Sequence, residues 1–192
     1  MTTYPLRTRR WRRSEYERLI KVGVFHPGEP VELLAGDLVV SEPQGGAHYT
    51  AIILVTDVLR AVLGPGWLVR SQGPVALDDE SEPEPDVSVV PGTARDYSLE
   101  HPARPLLVVE VAESSLALDR DHKSSLYARA RLDEYWIVNL VDRVLEVSRR
   151  PVADAVARFG WRYESTQALT ADSFVTPLVA PGARISVRDL LP

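Results

Sequence analysis

The chain has 192 residues, 45% of them hydrophobic, which is enough for one sizeable core and too few to make a second independent domain the expected organisation. Its 22 Lys and Arg against 27 Asp and Glu give a formal net charge of −5, which excludes a chain-wide electrostatic attraction to nucleic acid or to an anionic membrane. The sequence contains no cysteine, which excludes disulfides, thiolate zinc sites and a cysteine nucleophile.

The termini and the longest apolar runs indicate where the protein resides. The N-terminal segment MTTYPLRTRRWRR is basic, but no apolar segment of the kind found in signal peptides follows it. No other apolar run approaches the length of a membrane-spanning helix. We therefore expect a cytoplasmic protein that forms a single domain over residues 1–192 and does not bind membranes.

The first half of the chain predicts a short helix, a hairpin and a longer helix. The apolar spacing after Ser14, a candidate N-cap, is typical of one face of a short helix. The segment PVELLAGDLVVSEP predicts a hairpin, because Gly36-Asp37 separates two short apolar runs. The segment HYTAIILVTDVLRAVL has apolar residues at helical spacing and ends at a Gly-Pro pair, which predicts a longer helix.

The second half is richer in predicted strands. GWLVRSQGPVALDD predicts one or two strands, and DVSVV predicts another that begins at Asp86. RPLLVVEVAE is a continuous apolar run of the kind found in strands that are covered on both faces. DRDHKSSLYARARL fits a helix, EYWIVNLVDRVLEVSRR fits two strands, and short strands are expected near the C-terminus. Helices interleaved with strands favour an α/β or α+β core around a central mixed sheet.

Two carboxylates at apolar strands, followed by a lysine on a helix, form the most informative pattern. Asp86 starts one strand, Glu110 lies inside the next, and Lys123 lies on the following helix. Carboxylates on adjacent strands can converge on one hard divalent cation, since Mg²⁺ takes oxygen ligands. A positioned lysine can then orient or help to deprotonate water, or stabilise a pentavalent phosphate. The pattern therefore predicts phosphodiester hydrolysis.

Each of these residues also has a simpler interpretation. Asp86 can be a turn or capping acid, Glu110 can lie on the solvated face of an edge strand, and Lys123 can solvate a helix. Glu110 fits this interpretation least well, because exposure of its face would also expose Val108. A strand buried on both faces would leave the carboxylate in need of a partner, which a cation would supply.

The chain resembles the Uma-type restriction endonuclease family, once catalogued as a domain of unknown function, in the PD-(D/E)xK nuclease superfamily. The segments that carry the resemblance are VELLAGDLVV, GGAH, EPEPDVSVV, LLVVEVAESS, DRDHKSSLYARA and DEYWIVNL. The resemblance implies a restriction-endonuclease-like α/β (α+β) fold, with a central mixed sheet flanked by helices, an extra N-terminal hairpin and extra C-terminal strands. It also implies a Mg²⁺- or Mn²⁺-dependent endonuclease that acts on nucleic acid, with DNA expected, as a homodimer.

The resemblance also assigns site residues. Asp86 and Glu110 correspond to the acids of the family motif, and Glu32 corresponds to the glutamate near the first helix and hairpin. All three are expected to bind the metal, and the backbone carbonyl of Val111 is a further expected ligand. The chain departs from the superfamily in having alanine, not lysine, two positions after Glu110. Lys123 is expected to replace that lysine, which requires its helix to fold back over the strand end.

Other polar residues near these motifs have open roles. His48 can be a general base or a substrate contact, or a capping or structural histidine. Tyr127 lies four positions after Lys123, on the same helical face, where it can contact phosphate, although packing is the expected role. Asp119 is expected to cap the helix that carries Lys123.

The arginine-rich N-terminus is a second candidate for substrate contact. Residues 1–13 are expected to form a flexible basic arm, which either grips phosphates or is merely a solvated terminus. Its arginines are Arg7, Arg9, Arg10, Arg12 and Arg13, of which Arg10 and Arg12 are the expected substrate contacts.

Two other functions stay open at the level of sequence. One is a catalytically silent nuclease-fold module that binds nucleic acid or protein, against which the intact acid and lysine set argues. The other is a structural role in which the apolar C-terminal strands form a dimer surface.

Overall fold

Six strands form one mixed sheet at the centre of the protein. The computed structural model describes residues 8–41 and 43–192. The helices are α1 (Arg13–Lys21), α2 (Gly46–Val62) and α3 (Ser124–Arg129), and a π-helical turn over Leu118–Lys123 leads directly into α3. The strands are β1 (Val31–Leu34), β2 (Asp37–Val40), β3 (Trp67–Ser71), β4 (Val87–Pro91), β5 (Leu107–Ala112), β6 (Glu134–Asn139), β7 (Val144–Ala153), β8 (Trp161–Thr170), β9 (Phe174–Val175) and β10 (Ile185–Ser186).

The strand order of the central sheet is β3-β4-β5-β6-β7-β8. β5 and β6 are parallel, and the other neighbouring pairs are antiparallel. A parallel pair needs a crossover connection, which the π-helical turn and α3 provide. β1 and β2 form a separate hairpin, and β9 pairs with β10. The predicted α/β (α+β) fold, with its central mixed sheet, N-terminal hairpin and C-terminal strands, is confirmed.

Apolar layers cover both faces of the sheet. Along β5, Val109 and Val111 belong to the layer beneath α2, whereas Val108 and Ala112 belong to the layer beneath α3. Because side chains alternate along a strand, Glu110 points to the α3 face. β5 is therefore covered on both faces, as predicted, and its one carboxylate lies inside the protein. Among the helices of the described part of the chain, none is long and apolar enough to cross a bilayer.

The N-terminal hairpin turns one residue earlier than the sequence predicts. Ala35 and Gly36 occupy the turn with φ values of 49° and 84°, the conformation of a two-residue turn whose twist matches the strands. A Cβ on Gly36 would lie 2.8 Å from Cδ of Arg10, so glycine also permits a close approach there.

The segment that precedes α1 packs against the hairpin. The Trp11 amide donates to the Gly36 carbonyl at 2.9 Å, and the Arg13 amide donates to the Asp79 carbonyl at 2.7 Å. These bonds hold the backbone at residues 11 and 13, and the flexible basic arm expected over residues 1–13 stays a prediction.

The start of α1 also differs from the prediction. The N-cap is Arg12 and not Ser14, and the Glu15 side chain accepts a hydrogen bond from the Arg12 amide at 3.0 Å. The Glu15 carboxylate, and not the expected Ser14 hydroxyl, accepts a hydrogen bond from a backbone amide at the start of the helix. That amide has no partner within the helix itself. On α1, Tyr16 is buried, whereas Ile20 is exposed.

A matched pair of leucines tests the assignment of the core. Leu145 on β7 is fully buried in the layer beneath α2, so Leu145→Ala leaves a cavity and should lower the free energy of unfolding by about 2–5 kcal/mol. Leu99 is 95% exposed, and Leu99→Ala should change it by less than about 0.5 kcal/mol. Urea unfolding measures both; equal midpoints for the two variants would contradict the burial of Leu145.

Candidate active site

Four charged side chains meet in a cleft beside β4 and β5, two inner strands of the central sheet. Glu32 comes from β1, Asp86 precedes β4, Glu110 lies on β5, and Lys123 ends the π-helical turn. All four line a cleft of about 270 Å³ and are only 3–7% exposed. The structure therefore brings together the acids and the lysine that the sequence singled out.

The pairing of β4 with β5 sets the two central acids opposite each other. Val87 pairs with Val109, so one step further along the antiparallel pair places Asp86 opposite Glu110 on the same face. The Asp86 side chain accepts a hydrogen bond from the Val111 amide at 2.7 Å, and its own amide points at the Glu110 carboxylate at 3.4 Å. The Asp86 carboxylate therefore bonds to the backbone of β5 at Val111, just beyond the last residue pair that joins β4 to β5.

Lys123 reaches the acids because its helix folds back over the end of β5. Its Nζ lies 3.1 Å from Oε1 of Glu110 and 3.4 Å from the Glu32 carboxylate. The π-helical turn that carries the lysine follows β5 directly in the crossover to β6. This fold-back brings Lys123 next to Glu110, although the two residues are thirteen positions apart in sequence.

Tyr127 holds Glu110 from below the cleft. Its hydroxyl donates to Oε1 of Glu110 at 2.7 Å, and its ring lies 5.0 Å from the ring of Tyr135. The side chain is fully buried, which favours the packing role over the alternative of contact with substrate phosphate. Packing, the role expected from sequence, describes the ring, while the hydroxyl orients Glu110.

Glu32 is held by two hydrogen bonds from neighbouring segments. The Ser41 hydroxyl donates to its Oε1 at 2.7 Å, and the Glu84 amide donates to its Oε2 at 3.0 Å. Neither partner carries a pattern in the sequence that marks it as part of a site. Both become recognisable only when the hairpin lies against the segment before β4.

His48 lies in the first turn of α2 and contacts Asp86. Its Nε2 is 3.2 Å from Oδ1 of Asp86, and the residue lines the cleft. This contact gives His48 a place beside the acids and makes it an orienting partner of Asp86.

Asp119 lines the cleft as well, so the prediction that it caps a helix is wrong. Its carboxylate is buried and accepts a hydrogen bond from the Ser115 hydroxyl at 2.6 Å. The helical segment begins before it, with Ala117 at the N-cap, so Asp119 falls inside the π-helical turn. The sequence contains one signal that could have placed Asp119 in the site: it lies four residues before Lys123, and residues four apart on a helix are neighbours.

The cleft has a strong excess of negative charge. Among the described residues that line it, six carry carboxylates, and Lys123 carries the one ammonium. The carboxylates belong to Glu32, Glu84, Asp86, Glu110, Glu113 and Asp119. Such a site favours a cation and repels a phosphate unless its charge is balanced.

Burial and like charges shift the pKa values of the central groups. Burial is the largest cause that raises the pKa of Glu110; the charge of Lys123 opposes this effect, and the charges of Asp119, Asp86 and Glu32 add to it. Burial also raises the pKa of Asp119 to about 6. Burial alone would lower the pKa of Lys123, but the carboxylates of Glu110, Glu32 and Asp119 hold it above its usual value. The lysine is therefore charged.

The oxygen donors of this cleft suit a hard divalent cation. Asp86 and Glu110 offer carboxylate oxygens with lone pairs left over from their hydrogen bonds, and Val111 lines the same cleft. Mg²⁺ is commonly held by one or two carboxylates together with water and substrate phosphate. Over residues 8–41 and 43–192, no three His, Asp or Glu side chains are already gathered around one point. Lys123 stands between Glu110 and Glu32, so the fit rests on Asp86 and Glu110.

The predicted arginine contacts lie away from the cleft. Arg10 donates to a carbonyl of the hairpin turn and lies 3.6 Å from the Asp37 carboxylate. Arg12 borders a different depression, together with residues 78–80. Neither arginine lines the cleft, and their expected contact with substrate stays a prediction. Arg7 lies outside the described residues.

Comparisons with known proteins agree with this fold. The family Uma2, described as "Putative restriction endonuclease", matches residues 13–188. A solved structure, described as that of "a putative nuclease belonging to DUF820" from Anabaena variabilis, is 17% identical with a TM-score of 0.64 and covers 90% of this chain and 96% of that chain. At this identity the likeness shows a shared fold. No curated protein matches the chain. Because the family match spans most of its length, the chain belongs to the Uma2 family of restriction-endonuclease-like proteins.

Proposed function

We propose that the protein is a metal-dependent endonuclease that hydrolyses phosphodiester bonds in nucleic acid, with DNA the expected substrate. The observation that carries the proposal is the meeting of Asp86, Glu110 and Lys123 in one cleft, with Lys123 3.1 Å from Glu110. Membership of the Uma2 family supports a nuclease function in general. The homodimer remains a prediction of the resemblance.

The charge of the cleft supports the dependence on metal. A phosphodiester is anionic, and six carboxylates against one ammonium would repel it. Asp86, Glu110 and the Val111 carbonyl would hold Mg²⁺ or Mn²⁺, with Glu32 beside them. A bound cation of this kind neutralises the acids, polarises the phosphate and lowers the pKa of water.

Lys123, Tyr127 and His48 have separate roles beside the acids that would bind the metal. Lys123 is charged, so it supplies a positive charge beside the phosphate as negative charge develops, and it orients the attacking water. It is one of two lysines in a chain that otherwise uses arginine, and its compact ammonium fits between two carboxylates. Tyr127 and His48 keep Glu110 and Asp86 aimed at the cleft.

A cleavage panel with a charge-neutral variant tests the function. Wild-type protein is incubated with plasmid, single-stranded DNA and RNA, with Mg²⁺, with Mn²⁺ and with EDTA. Asp86→Asn keeps the shape of the side chain but weakens cation binding, so cleavage should fall by about a hundredfold or more. Asp172→Asn removes an exposed acid paired with Arg188 and should cleave like wild type. Cleavage that persists in EDTA, or in Asp86→Asn, would reject the metal site, and no cleavage of any substrate would favour the catalytically silent module.

The two lysines offer a matched test of Lys123. Lys123→Met removes the charge near Glu110 and should lower cleavage by about a hundredfold or more. The variant also leaves a buried carboxylate without its cation, so the free energy of unfolding should fall by about 3–5 kcal/mol. Lys21→Met alters an exposed residue at the end of α1 and should change neither quantity. Rates are compared at a temperature where circular dichroism shows both variants folded; equal cleavage would remove Lys123 from the mechanism.

Two buried tyrosines that touch each other separate orientation of Glu110 from packing. Tyr127→Phe removes the hydroxyl that donates to Glu110, whereas Tyr135→Phe removes one that donates to the Asp119 backbone carbonyl at 3.2 Å. We expect Tyr127→Phe to lower kcat about tenfold with little change in KM, because one oriented hydrogen bond to a charged group is lost. Tyr135→Phe should retain most of its kcat. The same loss in both variants would assign the effect to packing.

A further inference from the structure

We infer that the cleft takes an unpaired strand of nucleic acid and not a double helix. The inference rests on the proposed function and names its substrate class. It depends on the burial of the acids and on the charge of the cleft walls, and exposed apolar side chains on the neighbouring β2 and α2 support it.

The acids lie at the bottom of a narrow cleft. One wall is the end of β2 with the segment that leads into α2, and the other is the segment between β5 and the π-helical turn. The walls approach each other where a Cβ on Gly45 would lie 3.7 Å from Oε2 of Glu113. The volume of about 270 Å³ is near the lower limit of pockets that hold one small ligand, about 300–1,000 Å³.

This depth separates the two kinds of substrate. A reacting phosphate has to reach Asp86 and Glu110, which are 7% and 3% exposed. In a duplex the phosphate is part of a stiff, wide rod that the two walls would stop at the rim. An unpaired strand can bend and bring one nucleotide between the walls, since its bases are free to splay outwards.

The charge of the cleft walls also favours an unpaired strand over a duplex. Glu113 and Asp119 add carboxylates to the wall beside the π-helical turn, and no arginine is among the described residues that line the cleft. Proteins that bind duplex DNA offer basic surface to both phosphate backbones. An unpaired strand brings a single backbone, so the bound cation and Lys123 have less negative charge to balance.

Exposed apolar side chains lie on β2 and α2, the two elements that contribute Val40 and His48 to the cleft. Val40, Tyr49 and Ile53 are 60%, 55% and 44% exposed. Val40 lines the cleft. Tyr49 and Ile53 do not line it, but Tyr49 directly follows the cleft residue His48 in the first turn of α2, and Ile53 lies one turn later. Exposed aromatic side chains stack on unpaired bases of any sequence, whereas the bases of a duplex are already stacked on each other.

A set of matched oligonucleotides tests the inference with the full chain. One labelled strand is offered alone, annealed to its full complement, and annealed to a partner that leaves a central bubble, each as DNA and as RNA. With Mn²⁺ we expect the single strand to be cut at least about tenfold faster than the duplex, with cuts in the bubble confined to its unpaired part. A duplex cut as fast as the strand alone would overturn the inference and leave the proposed nuclease function intact.

A binding measurement tests the preference for an unpaired strand without requiring cleavage. In Ca²⁺, fluorescence anisotropy should show the strand bound at least about tenfold more tightly than the duplex, even if no substrate is cut. Equal or tighter binding of the duplex would overturn the inference. Tyr49→Ala should weaken binding of the strand about tenfold, while Phe174→Ala, at an exposed aromatic on β9, should not. Unchanged binding by Tyr49→Ala would show that Tyr49 does not stack on the strand.

Discussion

The contact between Lys123 and Glu110 is the interaction on which the rest of the site depends. Both groups are almost fully buried, and a buried charge is costly unless it is paired and hydrogen-bonded. Glu110 lies on β5, while Lys123 ends the turn that begins the crossover to β6. Since the two strands are parallel, the chain must pass over the sheet between them, and the ion pair holds the start of that passage over the end of β5.

The arrangement of strands brings the other acids to the same place. Antiparallel pairing sets Asp86 opposite Glu110, and the hairpin joins through backbone hydrogen bonds between Leu33 and Glu82. Glu32, next to Leu33, then meets Lys123 across ninety-one positions of sequence. The site is thus assembled from the hairpin, two adjacent strands of the sheet and one crossover, and the hairpin and strands are held by backbone pairing that does not depend on the carboxylate side chains.

Charge connects this architecture with the proposed chemistry. The chain is acidic overall, and the cleft is its buried acidic centre. Arg10 contacts the hairpin and Arg13 pairs with Glu17, and neither of the two lines the cleft. Under the proposed function, cations held by the acids would attract the polyanion, which would link affinity for substrate to affinity for metal. The comparison with the Uma2 family and the shared fold are consistent with this view.

The sequence by itself determined the elements of the fold and the candidate acids, because hydrophobic periodicity is a local property. The burial of β5 on both faces and the isolation of Glu110 within it could be predicted from its neighbours, and the predicted lysine lies where the fold-back hypothesis required. Only the tertiary structure decided what each side chain touches: the hydroxyl of Tyr127 on Glu110, His48 on Asp86, and Asp119 in the cleft instead of at a helix cap. These contacts depend on strand register, on the path of the crossover and on a π-helical turn. The packing of both sheet faces sets all three at once, and no short stretch of sequence encodes them.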